Sequence, residues 1–361
     1  MIPVMLPRLP RYEDVSNLLR KMDESQVYTN MGPISVEFKE ELSDYLNVPS
    51  GNICLLANAT LAIQGLLEIS IAAEWVVPDW TFAATGLAVI GARKNIVLAD
   101  VNIDDWELDI SACQTPKNGI LRGFIPVAPF GKTPNILKWK EFDHVIHDAA
   151  ASFGSPPPDV LDLNSTSAIV YSLHATKVIP AGEGAVVVCG SEKMANALQR
   201  WSNFGFDGNR KSVSIGTNAK LSEIACAYGL ASLKMRDIEI QEWKFALEAS
   251  KVASAGKDWQ TFISSLSGIR PYWIARFQDE STRNHVISQL EIAGIQSRKW
   301  WPVPLSQMAA FENFVPSVPN PKSLSLAETT LGLPMFRDLK CEQVDAIVSE
   351  IDKALEVGRF G

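Results

Sequence analysis

Lys177 closes the hexapeptide Ser-Leu-His-Ala-Thr-Lys (172–177), ahead of the turn Gly182-Glu183-Gly184 and the apolar run AVVVC (185–189). A lysine held between an apolar strand and a glycine turn is placed to react as an amine, provided its surroundings lower its pKa or it is already condensed with a carbonyl. The competing reading is a solvated loop lysine, the ordinary fate of the residue type. Three neighbours in the sequence change the balance. Asp148 follows His144-Val145-Ile146-His147, read as a buried strand, and so stands at the carboxyl edge where open α/β sheets place ligands. A carboxylate there can hold a pyridinium N–H by a charge-assisted bond, keeping a pyridoxal ring an electron sink, or it can simply cap the next turn. NATLAI (58–63) opens a helix with small and hydroxyl residues, and unpaired amides at a helix start, joined by the Thr60 hydroxyl, outline a phosphate site. PDWTFAAT (78–85) follows the strand Trp75-Val76-Val77 and offers Phe82 or Trp80 to stack on an aromatic ring, with plain core packing as the alternative.

The elements that must position these groups read as α/β. AIVYSL (168–173) and AVVVC are short β-branched and aromatic runs, so Lys177 falls in a strand-to-strand loop. Further strands are expected at NICLL (52–56), at 75–77 and near 96, 123 and 144. A helix is expected over 36–46 from the stripe Phe38, Leu42, Tyr45 and Leu46, and another from Thr60 with Ala62, Ile63, Leu66 and Leu67. Residues 221–235 read as a helix leading into a charged connector that runs to about 257. Beyond it PYWIARF (271–277) is expected as a strand, and 281–293 and 342–357 as helices. The division is therefore a large domain over 1–235 and a connector with a smaller domain over 236–361. Pro156-Pro157-Pro158 reads as a rigid loop.

Composition bounds the function. At 361 residues, 47% hydrophobic and 20% charged, the chain can bury a large core. A net charge of −8 and a pI near 5.2 argue against nucleic acid, whose phosphates such a surface repels. No apolar run reaches the roughly 18 residues of a membrane helix, and MIPVMLPRLPR is too broken by proline for a signal peptide. Five cysteines without paired spacing suggest reduced thiols and a cytoplasmic enzyme, with Cys54, Cys189 and Cys226 in the core. Four histidines without ligand spacing argue against a metal site.

Taken in order, these segments resemble the DegT/DnrJ/EryC1/StrS family of pyridoxal phosphate-dependent nucleotide-sugar aminotransferases. The resemblance runs almost end to end, through YTNMGP (28–33), NATLAI, PDWTFAAT, ADVNIDDWELD (99–109), IPVAPFG (125–131), HDAAASFG (147–154), SLHATK with GEGA (182–185), NFG (203–205) and GTNAKLSEI (216–224). HATKV and NFG are similar to the wording of enzymes that aminate C4 of a dTDP-4-keto-6-deoxyhexose, as in viosamine synthesis. The resemblance implies the aspartate aminotransferase-like fold (fold type I), a large mixed-sheet domain plus a smaller C-terminal α/β domain, with the site at a homodimer interface. It implies Lys177 as the Schiff-base lysine and proton-transferring base, Asp148 as partner of the pyridine nitrogen, and Phe82 as cover for one ring face. The Ala59 N–H, Thr60 and Ser172 would hold the phosphate, and Asn218 would reach the phosphate of the neighbouring subunit. Lys220 and Arg298 are candidates for the diphosphate or nucleotide of the sugar, against the alternative of solvated surface cations. L-Glutamate is the implied donor, leaving as 2-oxoglutarate, and deoxyaminosugar synthesis for lipopolysaccharide O-antigen is the implied setting.

The chain departs from the family pattern at three places. Ala151 stands where the family carries Gln or His, RKWWPVPLSQ (298–307) lacks the His of R-x-F-x-P-x-x-H, and GEGG has become GEGA at Ala185. A branch that removes the C3 hydroxyl carries His in place of Lys177, so dehydration is disfavoured. Another reaction class on the same cofactor, including 3-amination or an amino-acid lyase, and a non-catalytic cofactor-binding regulatory relative stay open as alternatives.

Overall fold

A computed structural model describes residues 1–113, 119–155, 163–261, 269–314 and 319–357; Pro156-Pro157-Pro158 lies outside them. Two helices, α1 (Tyr12–Ser25) and α2 (Pro33–Leu46), precede an alternating run: β1 (Ile53–Leu56), α3 (Ala59–Ile69), β2 (Glu74–Pro78), α4 (Ala83–Gly91), β3 (Asn95–Ala99), β4 (Arg122–Phe124) and β5 (Ile146–Asp148). Then come β6 (Ala168–Ser172), β7 (Ala185–Cys189), α5 (Glu192–Trp201), α6 (Glu223–Lys234) and α7 (Arg236–Ala253). The last third holds β8 (Gln260–Thr261), β9 (Trp273–Arg276), α8 (Glu280–Ile292), α9 (Pro321–Thr329), β10 (Thr330–Leu333) and α10 (Cys341–Val357).

The strands β1-β7-β6-β5 form one sheet and β3-β2-β4 another, joined by parallel bridges from Phe124 to Val145 and from Val127 to Asp148. Among the described strands of these two joined sheets β7 alone runs antiparallel to its neighbours, so β1, β6, β5 and β2 point the same way and end at one edge. Both faces are covered, which is why β6 and β7 read as unbroken apolar runs rather than alternating ones. The period-2 geometry still sorts them: Ile169, Tyr171, Val186 and Val188 join one apolar cluster, while Ala168, Val170, Val187 and Cys189 join the other. The first cluster carries on through Phe38 of α2 and Trp243 of α7 to Trp273 and Ile351 near the C-terminus. There β10-β9-β8 form an antiparallel sheet whose Trp273, Ala275, Leu331 and Leu333 share the apolar cluster with residues of α8 and α10, two helices that pack on each other.

Several elements differ from expectation at their ends. The strand expected from His144 begins at Ile146, because His144 takes a left-handed φ of 55° in the turn before it and Val145 makes only a single bridge. The α2 helix starts at Pro33 rather than 36. Its orphan amides are capped from a distance by the fully buried Glu223, whose carboxylate accepts from Gly32 N–H at 3.0 Å, Ile34 N–H at 2.7 Å and Ser35 N–H at 3.3 Å. A proline at the first helical position lacks the N–H that would have stayed unpaired. The charged connector is the helix α7, and Cys54, Cys189 and Cys226 are buried as expected.

Candidate active site

Where β1, β6 and β5 end, their loops enclose a cavity of about 680 Å³, within the range of small-molecule sites. Lys177, Asp148, Ala59, Thr60, Phe82, Ser172 and Arg298 all line it. The β6–β7 loop is pinned on itself: Ala181 N–H donates to the Leu173 carbonyl at 2.7 Å, Ala175 N–H to Gly182 at 2.9 Å and Lys177 N–H to His174 at 2.9 Å. Gly182 and Gly184, at φ 91° and 155°, turn the chain where a side chain would be strained. The Lys177 Nζ projects into the cavity and donates to the Tyr272 hydroxyl at 2.9 Å, 5.5 Å from that ring's centroid.

Asp148 ends β5 with its carboxylate buried. It accepts from the Thr85 hydroxyl at 2.7 Å and from Ala150 N–H at 3.2 Å. Burial pushes its carboxyl above the usual carboxylate range, while the two hydrogen bonds and the charge of Lys177 act in the opposite sense. Next to it, burial pushes the His147 imidazole down to about 3, so that ring is neutral. On the adjoining wall Asn58 caps α3 by accepting from Leu61 N–H at 2.9 Å. The amides of Ala59 and Thr60 precede the first intrahelical donor, Ala62, and are left for a ligand at the positive end of the helix dipole. Ser172, at the end of β6, keeps its hydroxyl on the same cavity. Phe82, just before α4, is 62% exposed and lines the same cavity.

Asn218 and Lys220 do not share this cavity within one chain. They line a separate pocket of about 530 Å³ with Asn203, Phe204 and Arg210, where Lys220 Nζ donates to Asn218 Oδ1 at 2.7 Å and sits 4.8 Å from the Phe204 ring. Lys220 bridges to Leu56 and Asn218 to Asn203, so their segment runs beyond β1, the edge strand. Burial holds the Lys220 amine below its usual range. Arg298 is exposed, its guanidinium 4.8 Å from the Trp300 ring.

The profile of the DegT/DnrJ/EryC1/StrS aminotransferase family matches residues 11–352. The chain belongs to the DegT/DnrJ/EryC1/StrS aminotransferase family. This makes it a member of a family of pyridoxal phosphate-dependent sugar aminotransferases. A dTDP-4-amino-4,6-dideoxy-D-glucose transaminase of Escherichia coli is 27% identical over 380 residues, which cover 98% of each chain. One of the same name from Shigella dysenteriae is 26% identical over 367 residues, 96% of this chain and 97% of the relative. Among solved structures, a PLP-dependent aminotransferase of Bacillus cereus superposes with a TM-score of 0.88 at 27% identity, covering 97% of this chain and 99% of its own. DesI, crystallised in the presence of its TDP-sugar product, gives 0.85 at 26% identity over 98% and 94%.

The donor set in this aminotransferase suits the family's cofactor. Asp148 has two hydrogen bonds on a carboxylate that can accept about four, and the amides of Ala59 and Thr60, an amine and two hydroxyls face the same volume. The departures from the family pattern fall unequally. Ala185 is a core residue of β7, paired with Ser172 and Leu56. Ala151 lines the cavity, as do Trp300 and Trp301 of the altered RKWWPVPLSQ segment. That segment is docked by the buried Asp79, which accepts from the Ser306 N–H and hydroxyl, both at 2.7 Å. Sequence reasoning missed Thr85 and Tyr272, the partners of Asp148 and Lys177. Thr85 stood within the PDWTFAAT block, one helical turn from Thr81; nothing local marked Tyr272.

Proposed function

We propose that the chain is an aminotransferase that moves the amino group of L-glutamate to the ketone of a nucleotide-linked 4-keto-6-deoxyhexose, with dTDP as the nucleotide. The observation that carries the reading is Lys177 and the buried Asp148 facing one cavity beside the open amides of α3. The relatives named for dTDP-4-amino-4,6-dideoxy-D-glucose support C4 as the aminated carbon. Pyridoxal 5'-phosphate, when bound, supplies an electron-withdrawing ring that stabilises negative charge on the neighbouring carbon. In this chain Asp148 would hold its ring nitrogen, Phe82 would cover a face, and Ala59, Thr60 and Ser172 would hold its phosphate. Lys177 Nζ takes the proton from the carbon of the donor and returns one to the carbon of the acceptor. Glutamate leaves as 2-oxoglutarate before the sugar enters, so donor and acceptor use the cavity in turn. Arg298 at the rim, and Lys220 and Asn218 from a second copy, would meet the anionic groups that the acidic chain as a whole repels.

The reading includes a homodimer, since Asn218 and Lys220 lie apart from the Lys177 cavity of their own chain. It takes residues 1–235 as the cofactor-binding domain and 236–361 as α7 with the small domain, in a cytoplasmic enzyme of deoxyaminosugar synthesis. The test is a panel of nucleotide-linked 3-keto and 4-keto sugars with L-glutamate, read by NMR of the product. Amination at C4 of the dTDP-linked 6-deoxy sugar is expected. Amination at C3, or preference for another nucleotide, would replace the acceptor; no amination across the panel would overturn the reading.

A further inference from the structure

We infer that Tyr272 is a positioning residue for Lys177, holding its amine on the reacting side of the cavity whenever the amine is free. The inference rests on the transamination reading above. The Tyr272 hydroxyl lies 2.9 Å from Lys177 Nζ, and a phenol suits both states of that nitrogen: it accepts from an ammonium and donates to an amine. The amine therefore keeps one partner while its own proton count changes, which is what a base that first takes a proton and later gives it back requires.

The ring is built to stay where it is. Phe130 meets it edge-on with centroids 5.6 Å apart at 68°, and Trp300 does so at 5.2 Å and 87°. Trp300 is itself seated over Gly332, where any Cβ would collide with the indole Nε1. Tyr272 immediately precedes β9, anchored by the fully buried Trp273. Lys177 comes from the β6–β7 loop 95 residues earlier, so this one hydrogen bond links the last third of the chain to the amine.

The test is Tyr272→Phe, which keeps the ring and its edge contacts and removes only the hydroxyl. In the cofactor-free protein at fixed pH, acylation of Lys177 by an amine-reactive ester, followed by peptide mass spectrometry, is expected to rise about fivefold as the amine loses its partner. In the cofactor-loaded enzyme, kcat is expected to fall about 10- to 100-fold with the KM for glutamate within threefold. Unchanged labelling, or an unchanged kcat, overturns the inference. An inactive wild-type enzyme whose Lys177 labelling still depends on Tyr272 would instead overturn the transamination reading and leave this pairing standing.

Discussion

Thr85→Val tests the hydrogen bond that favours the ionised form of Asp148. The substitution preserves the shape of a fully buried side chain and deletes the hydroxyl that donates to Asp148 Oδ2 at 2.7 Å. Burial already pushes the Asp148 carboxyl upward, and the Thr85 bond is the largest influence opposing it. A hydrogen bond to a charged group is worth about 1.5–3 kcal/mol, and this one stabilises the anion and not the neutral acid. The carboxyl should therefore rise further when the hydroxyl is lost, since burial is left opposed only by the Ala150 amide and the charge of Lys177. The sign follows from the charge: an acid raised in this way is neutral over a wider range, and only its anion pairs with a pyridinium. Cofactor affinity should thus fall as pH drops, and in Thr85→Val the fall should begin at a higher pH than in the native protein. Equilibrium titration of the cofactor-free protein with pyridoxal 5'-phosphate from pH 5 to 9 reads this directly. Superimposable profiles for the two proteins would refute the electrostatic role given to Thr85.

Two further perturbations probe the frame that carries the site. His147 is buried and neutral with its imidazole held down to about 3 against an ordinary value of 6.5; the unfolded chain takes up the proton first, so stability is lost as pH falls below 6.5, by about 2 kcal/mol at pH 5. Urea unfolding at pH 7 and pH 5 should show that loss, His147→Phe should reduce it, and equal stability at both pH values would contradict it. Glu223→Ala strips α2 of a buried carboxylate that caps three amides, and a cost of about 3 kcal/mol or more is expected. A loss below about 1 kcal/mol in chemical denaturation would show that water replaces the cap.

The sheet around the site was legible because its strands are buried on both faces. AIVYS and AVVVC are unbroken apolar runs, and the loop between them places Lys177 at a strand edge from the sequence alone. The apolar stripe of α2 located that helix but not its start, which depends on Glu223, about 190 residues away in sequence. The same limit hid Thr85 and Tyr272. Each matters through one hydrogen bond to a residue 63 or 95 positions away, and neither carries a spacing that signals it. The left-handed turn at His144 is hidden because an imidazole within an apolar run gives no hint of it. Asn218 was legible only through family resemblance and Lys220 through its charge and the resemblance together; in a single chain the two share a pocket separate from the Lys177 cavity.

The central claim is that Lys177 passes an amino group between donor and acceptor. It is tested most directly by mixing the cofactor-loaded protein with L-glutamate in a single turnover and following absorbance together with 2-oxoglutarate. Wild-type protein is expected to lose its visible band while releasing one equivalent of 2-oxoglutarate, and Lys177→Ala to do neither at a measurable rate. A Lys177→Ala protein that still converts glutamate at the wild-type rate would contradict the account.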